Sequence, residues 1–396
     1  MSPQVRELCD LVIRWVHLIA GIMWIGNSLL FNWLDRNLEK PSNPEPGYQG
    51  KIWLLHSGAF YDVDKKLLRP HEMPKTLHWF KWQNFTTWTS GILLLLVVYY
   101  AGGGALLIDP SVRALGTTIA IAISLTFIVV SWFVYDLVWI SPLAKRPLLA
   151  STISLLYIGA VAYALTTIFS GRAAYIHVGV ILGTLMTGNV WFVIVPSQRE
   201  LVRATIEGRE QDASISLRAK ERSIHNNYMT FPLLFMMVSN HFPITYAGRH
   251  AWSVLCVLSL GGALVRHLMN VRFTYKPWLP IAAVVVTATL GALFFLTRPE
   301  HATTSPTTSG EKVAFHTALG VIHERCQPCH SAQPTDDVWK NAPAGVMLDT
   351  PEQIKRLAPR IKERAVISRT MPLQNKTGIT QAERDLIGDW IDQGAN

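Results

Sequence analysis

Apolar runs long enough to cross a bilayer recur through the first three quarters of this chain, and they constrain its fold more than any other feature. A bilayer core about 30 Å thick is spanned by roughly 20 helical residues. Eight stretches approach that length: 11–34, 85–104, 117–139, 148–169, 173–195, 228–243, 250–269 and 278–297. The sixth is short and interrupted by Pro232 and Pro243. Of the 396 residues, 49% are hydrophobic and 16% charged, a balance that leans away from a soluble globular chain. The expected fold class is all-α, an eight-helix transmembrane bundle over residues 1–297. A Thr/Ser/Pro-rich linker at 298–311 then leads into a small helical domain at 312–396. The first run is too long for the apolar part of a secretory signal and has no small-residue cleavage site, so it is expected to stay as a span.

The net charge of +9 does not imply nucleic acid, because the basic residues sit in short segments between apolar runs. With the N-terminus outside, the inner segments hold eighteen basic residues, from Arg36 to Lys276. The outer ones hold Arg113, Arg172 and Arg249. An excess of that size orients a membrane protein. An even number of spans then puts the C-terminal domain on the outer side.

Two of the four cysteines, Cys9 and Cys256, stand alone in or beside apolar runs and read as free thiols. The other two form Cys326-Gln327-Pro328-Cys329-His330, the C-x-x-C-H spacing at which two thiols bond haem vinyl groups and the next histidine reaches the iron. A redox dithiol does not need the adjacent histidine. A zinc site needs two further ligands at suitable spacing, and no second cysteine pair exists. Cys326 and Cys329 are therefore expected to hold one covalent haem c, with His330 as proximal iron ligand. Met371, in Arg369-Thr370-Met371-Pro372, is expected as the sixth ligand, and Met347 is the alternative. The following stretch, 375–395, resembles the last helix of a class I cytochrome c domain. Thr380 is its N-cap, Glu383 stands at capping-box spacing, and Leu386, Trp390 and Ile391 form its apolar face. A small domain gains much of its interior from such a haem.

Ionisable residues inside spans are costly and mark function by default. His17, His177, Arg266 and His267 fall in spans, and His78 closes a long inner segment rich in Trp, His and basic residues. These five are the candidates for contacting a polar substrate. His17 and His177 are also candidates for a second haem, of b type, because imidazole ligates iron. They hold similar places in two halves that each carry an early His and a later Gly-Asn pair (Gly26-Asn27, Gly188-Asn189), a pattern compatible with duplication.

The stretches RWVHLIAGIMWIGNSLLFNWLD (14–35), GAFYDVDK (58–65), LHWFKWQNFTTWTSGILLL (77–95) and HVGVILGTLMTGNVWFVIVPSQRE (177–200), with the C-x-x-C-H beyond them, resemble the bacterial membrane-bound urate oxidases that carry a C-terminal cytochrome c domain. The resemblance covers essentially the whole chain. It departs at Gln83, where the family pattern after Trp-Phe-Lys-Trp has glutamate. It implies oxidation of urate to 5-hydroxyisourate with water as the oxygen source. Electrons would pass to the haem c and on to a respiratory acceptor or terminal oxidase. It implies multi-pass insertion among the lipids of a bacterial inner membrane, with N-terminus and cytochrome domain periplasmic. Other readings of the same residues are a quinol or other small-molecule dehydrogenase with b and c haems, a non-catalytic membrane anchor for an electron-transfer cytochrome, and a redox-regulated transporter.

Overall fold

The computed structural model describes residues 3–43, 46–101, 104, 106–110, 112–298, 313–367 and 369–395. The helices of the first part are α1 (Pro3–Asn37), α2 (Lys81–Leu94), α3 (Thr117–Ile140), α4 (Pro147–Ile168), α5 (Gly171–Gly188), α6 (Val195–Glu207), α7 (Ala213–Val238), α8 (Ala251–Val271) and α9 (Trp278–Leu296). The chain is 70% helix and 5% strand.

Among the described residues, six helical segments are long and apolar enough to cross a membrane: Gln4–Asn37, Thr117–Ile140, Pro147–Ile168, Gly171–Glu207, Ala251–Val271 and Trp278–Leu296. The last has no buried residue, and large apolar side chains such as Leu155, Leu156, Phe133, Val284 and Phe294 point outward. That inversion of the usual pattern suits an apolar solvent. The other two expected stretches are helical but do not qualify. One is α2, which runs on through a π-type turn at Leu95–Tyr100. The other lies in α7, whose first half is polar and whose second half contains Pro232.

Short connections join α3 to α4, α4 to α5 and α8 to α9, so neighbours run antiparallel. Their shared core is built on Leu165, Phe169, Tyr175, Ile181, Leu185 and Met236. Close approach needs glycine at two points. A Cβ on Gly188 would overlap the Trp132 ring of α3, and one on Gly171 would overlap the Tyr246 carbonyl.

One element departs from the all-α expectation. Within the inner segment, β1 (Tyr48–His56) pairs antiparallel with β2 (Ala59–Lys66), with Leu55 opposite Phe60 and Trp53 opposite Asp62. Ser57 and Gly58 both take positive φ (52° and 77°), the geometry of a two-residue hairpin turn that follows the strand twist. Alternating β-formers on either side of a Ser-Gly turn outweigh the charge density that reads as loop.

The described residues beyond 312 form a second core, packed between α10 (Phe315–Arg325), α11 (Pro351–Ile361) and α12 (Gln381–Asp392). Ile322, Ile354, Ile387 and Trp390 are its fully buried side chains. At the start of α12 the Thr380 hydroxyl accepts from the Glu383 amide (3.2 Å) and Glu383 accepts from the Thr380 amide (2.6 Å), a closed capping box. The expected linker lies outside the described residues apart from Arg298.

Candidate functional site

The C-x-x-C-H motif begins where α10 ends. The Cys326 amide donates to the Ile322 carbonyl (2.9 Å), and the His330 amide donates to the Cys326 carbonyl (2.9 Å). One compact turn therefore carries both thiols and the imidazole. Cys326 packs against the second core. Burial pushes its thiol up to about 12 and that of Cys329 up to about 11, so both stay protonated. His330 is half-buried, and its Nδ1–H donates to the Val346 carbonyl at 3.0 Å. That contact fixes the tautomer and leaves Nε2 without a partner among the described residues, as a metal-ligating histidine requires. Met371 is half-buried and held through its backbone. Its amide donates to the Arg364 carbonyl (2.9 Å) and its carbonyl accepts from Arg384 Nη1 (2.7 Å). Met347 is 39% exposed. Two free thiols, an oriented imidazole and a thioether are the donor set a c-type haem takes, so these residues fit the group. Among the described residues, no three His, Cys, Asp or Glu gather as a site for a bare metal ion.

The five candidates expected in and beside the spans do not converge. His17 turns against α2, donating from Nδ1 to the Thr87 carbonyl (2.9 Å), with the Ser90 hydroxyl 3.0 Å away. His177 is fully buried with both ring nitrogens engaged, Nε2 with Ser124 (2.6 Å) and Nδ1 with the Ala173 carbonyl (2.7 Å). Of the two histidines expected to serve a haem b, only His17 keeps a nitrogen without a partner among the described residues. His78 is exposed ahead of α2, and His267 is exposed on α8 with Nδ1 2.8 Å from Tyr228. Arg266 is buried and donates to Asn227 Oδ1 (3.0 Å), which also accepts from Asn270 (2.7 Å). The two Gly-Asn pairs have unlike surroundings. Gly188 abuts Trp132, whereas nothing lies within 4 Å of a Cβ at Gly26.

A buried polar network gathers instead at one end of the bundle, where α3 ends and α7 begins. Arg222, 3% exposed, pairs with Asp136 at 2.6 Å and donates to Asn189 Oδ1 at 3.3 Å. Asn189 Nδ2 donates to the Tyr135 hydroxyl (2.9 Å) and to Asn226 Oδ1 (2.9 Å). Tyr135 in turn meets His225 Nδ1 at 2.7 Å. Beside it, Asn84 donates to Thr187 (3.1 Å) and accepts from Trp191 Nε1 (3.0 Å), next to the buried and unpartnered Gln83 Oε1. Reading for histidine alone misses this network. Its trace in the sequence is Arg222, Asn226 and Thr230, then Arg266 and Asn270, polar residues four apart on otherwise apolar helices.

A bundle with lipid-type surfaces and a charged, hydrogen-bonded interior at one end defines a helical membrane protein. The chain belongs to the family described as urate oxidase N-terminal, which matches residues 3–297. No curated protein and no solved structure matches it.

Proposed function

We propose that this chain is a membrane-bound urate hydroxylase carrying its own electron acceptor, a haem c on Cys326, Cys329, His330 and Met371. The observation that carries the reading is the joining, in one chain, of a urate oxidase family region over 3–297 to a C-x-x-C-H turn whose His330 Nε2 has no partner among the described residues. In this reading eight spans cross a bacterial inner membrane, α2 with its π-type turn and the second half of α7 supplying the two beyond the six that qualify on length. Residues 312–396 are a periplasmic cytochrome c domain.

The reaction balances as urate monoanion plus water giving 5-hydroxyisourate, one proton and two electrons. The bond formed joins the water oxygen to the ring carbon, and the water's O–H bond breaks. A haem held by Cys326, Cys329, His330 and Met371 would supply one-electron acceptance and an outlet to a respiratory acceptor or terminal oxidase. The chain's own residues do the rest. The Val346 carbonyl holds the His330 ring, and the Arg364 carbonyl and Arg384 hold the Met371 loop. The buried polar end of the bundle supplies cations and aromatic faces to an anionic heterocycle.

Anaerobic turnover in ¹⁸O-water with an external one-electron oxidant tests the reading. The expected product carries label and no hydrogen peroxide forms. Unlabelled product, or urate loss that needs dioxygen and yields peroxide, would overturn it. The double variant Cys326→Ala/Cys329→Ala is expected to insert in the membrane without covalent haem and without urate-linked reduction.

A further inference from the structure

A cleft of about 590 Å³ opens between the end of α3, the start of α4 and the first half of α7. Trp139, Arg218, Lys220, Glu221, His225 and Tyr228 supply its chemistry. We propose that this cleft binds the substrate, as a site for a planar heteroaromatic anion that presents both N–H donors and an anionic edge. The assignment rests on the urate reading above and adds to it the location of the site and the residues that contact the ligand.

His225 carries the argument. Its ring packs against Trp139 at a 52° tilt with centroids 4.0 Å apart, and its Nδ1 is held by the Tyr135 hydroxyl at 2.7 Å. That hydroxyl already accepts from Asn189 Nδ2, and Asn189 is fixed in turn by Arg222 and Asn226. The hydroxyl hydrogen has no other acceptor among the described residues, so it is donated to Nδ1 and the His225 proton sits on Nε2. Nε2 has no partner among the described residues. It is left as a donor at the cleft wall, set in place by a chain of buried groups that reaches back to the Arg222–Asp136 pair.

The rest of the lining discriminates between anions. Arg218 and Lys220 supply positive charge, and the half-buried His225 and Tyr228 rings supply aromatic surface of the kind heteroaromatic rings use. Glu221 on the same wall repels a bare phosphate but accepts N–H groups of a heterocycle. A volume near 590 Å³ lies within the range of small-molecule sites. The cleft sits at the bundle end where α8 finishes, Tyr228 meeting His267 and Asn227 meeting Asn270, while α9, antiparallel to α8, ends at the opposite end.

Labelling of the cleft in the full-length haem protein tests this. The substitution Ser151→Cys puts a thiol on the cleft wall. Its reaction with a charged thiol reagent, corrected for the parent's Cys9 and Cys256, is followed in detergent and in vesicles with and without anionic lipid. Saturating urate is expected to slow labelling at least tenfold, and inorganic phosphate at the same concentration is expected to leave it unchanged. His225→Phe should abolish protection, and His225→Gln, which keeps a donor, should restore part of it. Arg218→Gln should weaken apparent urate affinity about tenfold, as loss of one charge-assisted hydrogen bond does. Covalent haem content and reduction by dithionite report that each variant is folded. Wild-type haem reduced by urate without any protection of the introduced thiol would overturn the site and leave the hydroxylase reading intact. Protection without haem reduction would uphold the site and overturn the hydroxylase. Labelling that follows anionic lipid and ignores urate would make the cleft a headgroup site and overturn the proposal.

Discussion

At the scale of single residues, one hydrogen bond often decides what a side chain is free to do. His177 is fully buried and His330 half-buried, yet Ser124 and Ala173 take both nitrogens of the first, while among the described residues Val346 takes only one of the second. Spacing alone points to His330, because its two cysteines stand beside it. Nothing in the sequence separates His177 from His225, whose difference lies in partners contributed by α3. The Met371 reading is testable on the same footing. Met371→Ala is expected to lower the haem potential and open the iron to added imidazole or cyanide, since a thioether ligand favours the reduced state. A redox titration with the visible spectrum checks this, and an unchanged potential would move the ligand role to Met347.

Among the elements, local signals read most faithfully where they do not depend on distant residues. The capping box at Thr380 and Glu383 is legible because both partners lie within one turn. The hairpin at 48–66 is written as clearly, in alternating residues around Ser57-Gly58, but the surrounding lysines and histidines disguise it as loop. The long helix α7 is harder still. Its apolar half is interrupted by Pro232 and buries the polar Asn226, Asn227 and Thr230 among the other helices, while its first half is polar and largely exposed, so hydropathy reads it as a weak span. Burial opposes ionisation of Glu383, but the Thr380 amide and the Arg325 guanidinium outweigh it and hold the carboxyl below its ordinary range. A depressed carboxyl stabilises the fold above its unfolded value of about 4.3 and loses that contribution as pH falls through the lower folded value. Thr380→Ala is expected to cost about 1 kcal/mol at neutral pH, and Glu383→Gln, which removes the titrating carboxyl, to flatten the acid limb of the stability curve. Denaturant melts of the haem protein between neutral and acidic pH check both. A variant with unchanged midpoint would remove the box from the account.

For the molecule as a whole, sequence and structure divide the information unevenly. The apolar runs announce a membrane bundle, and the C-x-x-C-H is the motif on which the proposed haem c rests. The polar end of the bundle stays hidden because Asn84, Asp136, Asn189, Arg222 and Arg266 come from five helices and acquire meaning only when packing joins them. Placing the cleft at one end and the last residues of α9 at the other has a consequence for sidedness. With the basic segments inside, urate is expected to bind from the cytoplasmic face while electrons emerge on the periplasmic one. Proteoliposomes of known orientation, given urate inside or outside, check this. Equal haem reduction from the two sides in sealed vesicles would contradict the arrangement.

The central claim is that one chain both oxidises urate and receives its electrons. Its most direct test is anaerobic addition of urate to the purified, oxidised protein while the haem α-band is recorded. The account expects the band to rise, with one urate lost for every two haems reduced. Protein whose haem reduces with dithionite but stays oxidised in excess urate would contradict it.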